Sequence, residues 1–431
     1  MVPILNTFPS ILSYLFYKIA GVKWNDTINL ILIEYFFIFH IHNTIRLITP
    51  LYMLGRCLTK ISKGLKRLPN SNYIQTLKNL KDVRYMKIIE KEDFDQFVRD
   101  LIEKDSREIV GVQEKGKDKF AFKELKDPKD LRLDYDTTIL PPKKYFMPQR
   151  ETLVRYKSTE EMSMDPVNEV IPRVIIGIHP YDLVAIQQMD KVFEDTHSDQ
   201  NYLWKRREAV LIGVNMENIS EWSFAASMGT ATIDSGYDLM LTDLGDKYAL
   251  EIGTPKGSNI LEKHKAEMRD ALPEEIKAVE EKKEKIKGKF ETELDFSPHE
   301  LPHLLAENYG NEEFWEKNSE DCLSCGTCNL VCPTCYCFDV QEEADLNLQE
   351  GERLRRWDGC MLQAFAEVAG GENFREERAA RYRHRYMRKG RYMYDEFGDI
   401  ACVGCGRCSS QCLPDIADPA RIYNKLKEGK I

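Results

Sequence analysis

Between Cys57 and Cys322 the chain has no cysteine at all, although it carries twelve. That gap excludes a disulfide framework spread along a secreted protein. A Gly-x-Gly-x-x-Gly fingerprint, a Walker phosphate loop and a nucleophile elbow are also missing. No flavin, nicotinamide or nucleotide is therefore held by a loop that a sequence reveals. Long uninterrupted apolar runs are absent too. The nearest approach, Ile28 to Ile48, is broken by Glu34, His40, His42 and Arg46, whereas a spanning helix needs about 20 mostly apolar residues. What is present is ordinary globular material. The 431 residues, 42% hydrophobic and 31% charged, exceed one hydrophobic core and predict two or three domains, excluding a polytopic membrane protein and a chain disordered throughout.

The net charge of -10 disfavours non-specific binding to nucleic acid, but it averages two opposed regions. Residues 1–85 hold eleven Lys and Arg against three acids, a net of +8, leaving -18 for the remainder. Three readings of this basic, apolar leader stand. It is an upstream stretch, with translation starting at Met86; a membrane-associated hairpin, with the basic cluster from Arg56 to Arg67 on the cytoplasmic side; or a packed helical extension. The first is preferred, because Met86-Lys87-Ile88-Ile89-Glu90 opens like an ordinary acidic helix. No succession of charged, apolar and small residues marks a cleavable signal peptide.

Beyond the leader, the predicted fold is α+β and multidomain: an N-terminal α/β domain followed by an α-helical ferredoxin-type dicluster domain. Residues 86–260 form the α/β scaffold. Within it, Val174 to Ile178 and Ala209 to Val214 read as buried strands, Tyr181 onward as a helix, and Leu239 to Thr242 with Tyr248 to Ile252 as a hairpin. Residues 261–298 are a charged amphipathic helical linker, broken or restarted at Pro273. Residues 299–431 are the dicluster domain. His179, His197 and His264 are read as surface or satisfied polar residues.

Eleven of the twelve cysteines crowd into the last third of the chain. Cys322-x2-Cys325-x2-Cys328-x3-Cys332-Pro333 is answered by Cys402-x2-Cys405-x2-Cys408-x3-Cys412, with Pro414 one place later than usual. Three thiolates on one tight, glycine-containing loop grip three irons of a cubane, while the fourth lies beyond and reaches the other cluster. The expectation is two crossed [4Fe–4S] clusters. Cys322, Cys325, Cys328 and Cys412 hold one, and Cys402, Cys405, Cys408 and Cys332 hold the other. Zinc would prefer paired Cys-x-x-Cys sites and is the weaker reading.

Cys335, Cys337 and Cys360 remain. They either cap a further metal or redox site, or are small buried hydrophobes beside the clusters, and the second reading is favoured. Between the runs, Gly359 to Ala369 is expected as a helix ending at Gly370-Gly371, and Phe374 to Lys389 as a second helix. The Arg and Tyr mixture from Arg375 to Tyr394 resembles a nucleic-acid surface, but its acidic neighbours favour a helix that covers the clusters or docks a partner.

At Cys332-Pro333-Thr334-Cys335-Tyr336-Cys337-Phe338-Asp339, Arg356-Trp357-Asp358-Gly359-Cys360, Gly370-Gly371-Glu372-Asn373-Phe374-Arg375 and Cys402-Val403-Gly404-Cys405-Gly406-Arg407-Cys408, the chain closely resembles the [4Fe–4S] dicluster subunits of multi-subunit anaerobic oxidoreductases. That family includes β subunits of soluble sulfhydrogenases and A subunits of anaerobic sulfite reductase. The likeness runs back through Pro141 to Phe146, Asp190 to Phe193 and Arg206 to Glu208 to about residue 86. It implies a cytoplasmic, non-catalytic subunit that relays electrons between a flavoprotein reductase subunit and a terminal catalytic subunit, such as a hydrogenase or a sulfite or sulfur reductase. No nucleic acid is expected as a partner, and membrane contact arises only if residues 1–85 are expressed and insert. Family members carry four further cysteines in the N-terminal domain, where this chain reads His179-Pro180-Tyr181-Asp182, Asn215-Met216 and Ser223-Phe224-Ala225. The rival is a self-contained iron–sulfur reductase with Cys335, Cys337 and Cys360 at a substrate-facing site.

Overall fold

A computed structural model describes residues 86–158, 162–265 and 267–430, so every reading of the leader lies outside the described residues. The expected helix at Met86 is a strand instead. In β1 (Met86–Glu90), Met86 and Ile88 alternate inward, and the helical period takes over only in α1 (Lys91–Lys104). There Phe94, Phe97, Val98 and Leu101 recur at spacings of three and four and are buried, with acids in the first turn and Lys104 in the last.

The hairpin β2 (Glu108–Gly116) and β3 (Lys119–Glu124) follows, then β4 (Arg150–Lys157), β5 (Ser163–Pro166) and β6 (Arg173–Ile178). Helices α2 (Pro180–Glu194) and α3 (Gln200–Glu208) lead to β7 (Val210–Val214), β8 (Leu239–Asp243) and β9 (Lys247–Ile252). After them come α4 (Pro255–Lys263), β10 (Arg269–Asp270) and α5 (Pro273–Lys287), with Pro273 at the first helical position, where its missing N–H costs nothing. Eight of these strands form one sheet in the order β10-β1-β9-β8-β7-β6-β2-β3. Its centre is parallel: β6 pairs with β2 and β7, and β7 with β8. Parallel strands covered on both faces need continuous apolar runs, and all five residues of Val210–Val214 are buried. The predicted hairpin of β8 and β9 is antiparallel, Leu241 opposite Leu250.

Helices α6 (Leu301–Glu307), α7 (Glu312–Ser319) and α8 (Thr327–Leu330) open the cysteine-rich part. The region between the two cysteine runs departs from the all-helical expectation. It contains the hairpin β11 (Phe338–Ala344) and β12 (Glu350–Trp357), which extends a second sheet in the order β11-β12-β4-β5. Cross-strand charge supports this pairing. Arg155 meets Glu352 at 2.8 Å, Lys157 meets Glu350 at 2.9 Å and Arg150 meets Glu343 at 2.8 Å. On the covered side, buried Arg355 donates to Glu151 at 2.6 Å and reaches Asp199, while Lys205 of α3 closes on Glu151. Partners for β12 thus lie some two hundred residues upstream.

The helix expected over Gly359 to Ala369 is reduced to a single 3-10 turn at Gln363–Ala366. Asn329 competes for that backbone, its Oδ1 accepting from the Met361 N–H at 3.1 Å. The second expected helix begins later, as α9 (Arg378–Met387), and continues through a π-helical turn (Arg388–Tyr392) into α10 (Met393–Phe397). The rings of Trp315, Tyr382, Tyr386 and Tyr423 pack together beneath α9. The last helices are α11 (Arg407–Ser410) and α12 (Pro419–Glu428).

Candidate metal centre

Each Cys-x2-Cys-x2-Cys loop turns on a left-handed glycine and enters a one-turn helix. Gly326 (φ 73°) precedes α8 and Gly406 (φ 75°) precedes α11, and the two short helices pack against each other. Cys332 and Cys412 follow those helices, so the packing carries each toward the opposite loop. One cavity is lined by Cys322, Cys325, Cys328 and Cys412 and encloses about 390 Å³ of empty space, open solvent included. A second is lined by Cys402, Cys405, Cys408 and Cys332 and encloses about 380 Å³ on the same measure. Each cavity takes its fourth thiol from the other run.

The two differ in cover. The second lies under the α/β part of the chain. Gly404 O accepts from Phe224 N at 2.8 Å and from Ser223 Oγ at 3.0 Å, and Val403 O accepts from Thr230 Oγ1 at 2.6 Å. A Cβ on Gly406 would stand 2.6 Å from the Trp222 carbonyl, so only glycine admits this approach as well as the positive φ. The first cavity faces outward. Cys325 is exposed, and Leu323 and Leu413 beside it are 63% and 91% exposed.

Burial pushes the thiols of Cys328 and Cys405 up to about 12, so each keeps its proton until a metal takes its place. The cationic groups nearby show what charge that metal centre must have. Arg407 is fully buried yet fully answered. Its Nη1 and Nη2 meet Asp182 at 2.7 and 2.6 Å, and Nε and Nη2 donate to Thr138. Arg385 is only 2% exposed and lines both cavities, but its Nε and Nη1 have no hydrogen-bond partner. Lys389, one helical turn on and also buried, lines the second cavity while donating to the Thr334 carbonyl at 2.9 Å. A buried guanidinium without an anion is costly. An anionic metal–thiolate cluster in each cavity answers it, so the residues present fit such a group. Zinc fits less well. Its Zn–S bonds of about 2.3 Å draw four sulfurs tightly around one point, whereas the four thiols here line the wall of a cavity.

Neither cavity has Cys335, Cys337 or Cys360 in its wall. Cys360 is buried and its Sγ accepts from Asn329 Nδ2 at 3.3 Å. Cys335 is buried too, and its carbonyl accepts from the buried Lys143 Nζ at 2.8 Å, that ammonium lying 4.4 Å from the centre of the Trp357 ring. The positions where the family resemblance implies further cysteines also come together. Tyr181, Met216 and Ala225 share one apolar cluster with Val403 and Cys405, and Ser223 is the residue bonded to Gly404. Here those positions are filled by packed side chains. Of the two states expected for His179, surface or satisfied, it takes the buried one: it stacks on Tyr135 with ring centres 3.9 Å apart, and its Nδ1 bonds the Tyr181 hydroxyl at 2.8 Å. His264 is satisfied by Asp105 at 2.8 Å.

Arg385, Lys389 and Lys143 carry no motif in the sequence. The one available signal was spacing: Arg381, Arg385 and Lys389 recur every four residues, and Tyr382 and Tyr386 ride beside them. All five are buried, which makes this helix a cover over the thiols rather than a base-stacking surface.

The sequence profile of a 4Fe-4S dicluster domain matches residues 321–416, the stretch that holds both cavities' cysteines. Over 312 residues the chain is 32% identical to the sulfhydrogenase 2 subunit beta of Pyrococcus furiosus, an alignment spanning 72% of this chain and 90% of that protein. With its twin cysteine runs inside a dicluster domain and this likeness along most of a relative's length, the chain belongs to the iron–sulfur dicluster family of electron-transfer subunits that includes sulfhydrogenase β subunits.

Proposed function

We propose that the chain carries two crossed [4Fe–4S] clusters and relays single electrons between a flavin-bearing reductase subunit and a terminal catalytic subunit of an anaerobic oxidoreductase complex. The division of eight thiols into two cavities of four, each completed by the opposite run, carries this reading. Bound [4Fe–4S] clusters supply one-electron transfer at potentials tuned by hydrogen bonds and exposure. Cys322, Cys325, Cys328 and Cys412 hold the outward-facing cluster, and Cys402, Cys405, Cys408 and Cys332 the covered one. The chain's own part is to fix those sulfurs, to place buried cations beside them, and to leave the first site open where a partner's redox centre docks. The relative's name, a sulfhydrogenase subunit, supports assembly with other subunits. The free cysteines at these sites support a reducing compartment such as the cytoplasm.

Anaerobic purification with iron counting and EPR tests the reading. About eight irons per chain are expected, with two cluster signals. Cys412→Ser is expected to perturb the cluster of the 322–328 loop and Cys332→Ser that of the 402–408 loop. If each substitution instead disturbed the cluster of its own run, the crossed assignment would be wrong. Substrate turnover by the isolated chain would overturn the relay.

A further inference from the structure

Resting on the two-cluster reading, we propose that Arg385 is a shared counter-ion, a positioning residue whose single guanidinium sets the potentials of both clusters together. Three observations meet at this side chain. It lines both thiol cavities, the only charged residue common to their walls. Only 2% of it is exposed, so bulk salt screens its charge little. Its Nε and Nη1 have no hydrogen-bond partner, and no carboxylate among the described residues lies within ion-pairing distance of it.

The contrast with Arg407 shows that this is not the general condition of buried arginine here. Arg407 spends its charge on Asp182. Arg381, on the same face as Arg385, also leaves its Nε unpartnered but spends both terminal nitrogens on the carbonyls of Arg375 and Glu376 and on Ser324 Oγ. Arg385 reaches the Cys408 thiol of the second cavity and shares the wall of the first with Cys328. Reduction adds one electron to a cluster that is already an anion when four thiolates hold it. A buried cation alongside therefore stabilises the reduced form more than the oxidised one and makes the potential less negative. Because one guanidinium serves both sites, removing it shifts both. Lys389 lines the second cavity alone, so its removal shifts one.

The test is an EPR-monitored redox titration of the full chain, kept anaerobic, with iron counted on every sample. Arg385→Gln is expected to move both midpoints to more negative potential. The expected size is about tenfold in the reduced-to-oxidised ratio at fixed potential, or about 59 mV for one electron. Lys389→Gln is expected to move only the midpoint of the cluster on the 402–408 loop. Arg385→Lys keeps the charge, and both of its midpoints are expected to stay within about threefold of the wild-type ratio, which also decides the matter if Arg385→Gln does not load iron. Midpoints unmoved in a fully loaded Arg385→Gln chain, a shift confined to one cluster, or a fall in Arg385→Lys as large as tenfold would overturn the proposal. Each of those results leaves the two-cluster reading standing. A wild-type chain with only about four irons would remove that reading, and this proposal with it.

Discussion

The pair Arg407–Asp182 is the place where the cluster-bearing loop is fastened to the α/β part of the chain, and breaking it should be expensive. Both side chains are fully buried, and two charged hydrogen bonds of 2.6 and 2.7 Å join them. Asp182→Ala strands a guanidinium in the interior. Removing one partner of a buried pair typically costs about 3–5 kcal/mol, against a total stability of about 5–15 kcal/mol for a domain. Thr138 retains two of the hydrogen bonds to Arg407, which places the expected loss toward the lower figure. In the double variant Asp182→Ala with Arg407→Met no charge is left to strand, and a coupling of at least about 2 kcal/mol should return. The measurement is an anaerobic urea titration of iron-loaded wild type, both single variants and the double, with midpoint shifts taken at a common slope. Arg407 stands between Cys405 and Cys408, so the damage should also have an address: the cluster of the 402–408 loop is lost first in Asp182→Ala. A single-variant cost below about 1 kcal/mol, or a double variant no better than the singles, would refute the reasoning.

Gly406→Ala should cost at least about 1–2 kcal/mol from the left-handed backbone alone, plus the clash with Trp222. Iron counting should find the covered cluster depleted and the outward one kept. His384 is held down to about 4 by burial, with Arg375 adding to the effect, against an ordinary 6.5. The unfolded chain therefore takes up a proton below 6.5 that the folded chain refuses until about 4. Its contribution to stability is whole above the first value and declines as pH falls toward the second. His384→Gln should flatten that part of a urea-midpoint profile against pH, and an unchanged slope would count against it. Cys360→Ser should leave the iron content unchanged, since Cys360 stands outside both cavity walls and is bonded to Asn329.

What the sequence reveals here divides along physical lines. The cysteine runs are legible because iron–sulfur ligation imposes a short local spacing, and the left-handed glycines before α8 and α11 stand where that spacing demands a turn. The central strands β6 and β7 are legible because a strand covered on both faces must be apolar throughout. The hairpin of β11 and β12 is not. Its residues are largely exposed, with burial confined to Leu354 and Arg355, so no strong alternation marks it. Its stability comes from Arg150, Glu151 and Arg155, some two hundred residues away. The same holds for Gly359 to Ala369, whose apolar pattern looks helical until the side chain of Asn329 claims its backbone. Local signals fail where the decisive partner is distant in sequence. Arg385 is the sharpest case. In the sequence it is one arginine among seven between Arg375 and Arg391. Only folding shows that Arg381 and Arg383 spend terminal donors on carbonyls and Arg391 pairs with Asp395, while Arg385 leaves both Nε and Nη1 without a hydrogen-bond partner beside two thiol-lined cavities. A cation buried without an anion is a requirement that the polypeptide leaves for something else to meet. Anionic clusters of the kind that the cysteine spacing demands would meet it, and that agreement between two independent constraints, one electrostatic and one geometric, is the strongest physical argument for the proposed clusters in both sites.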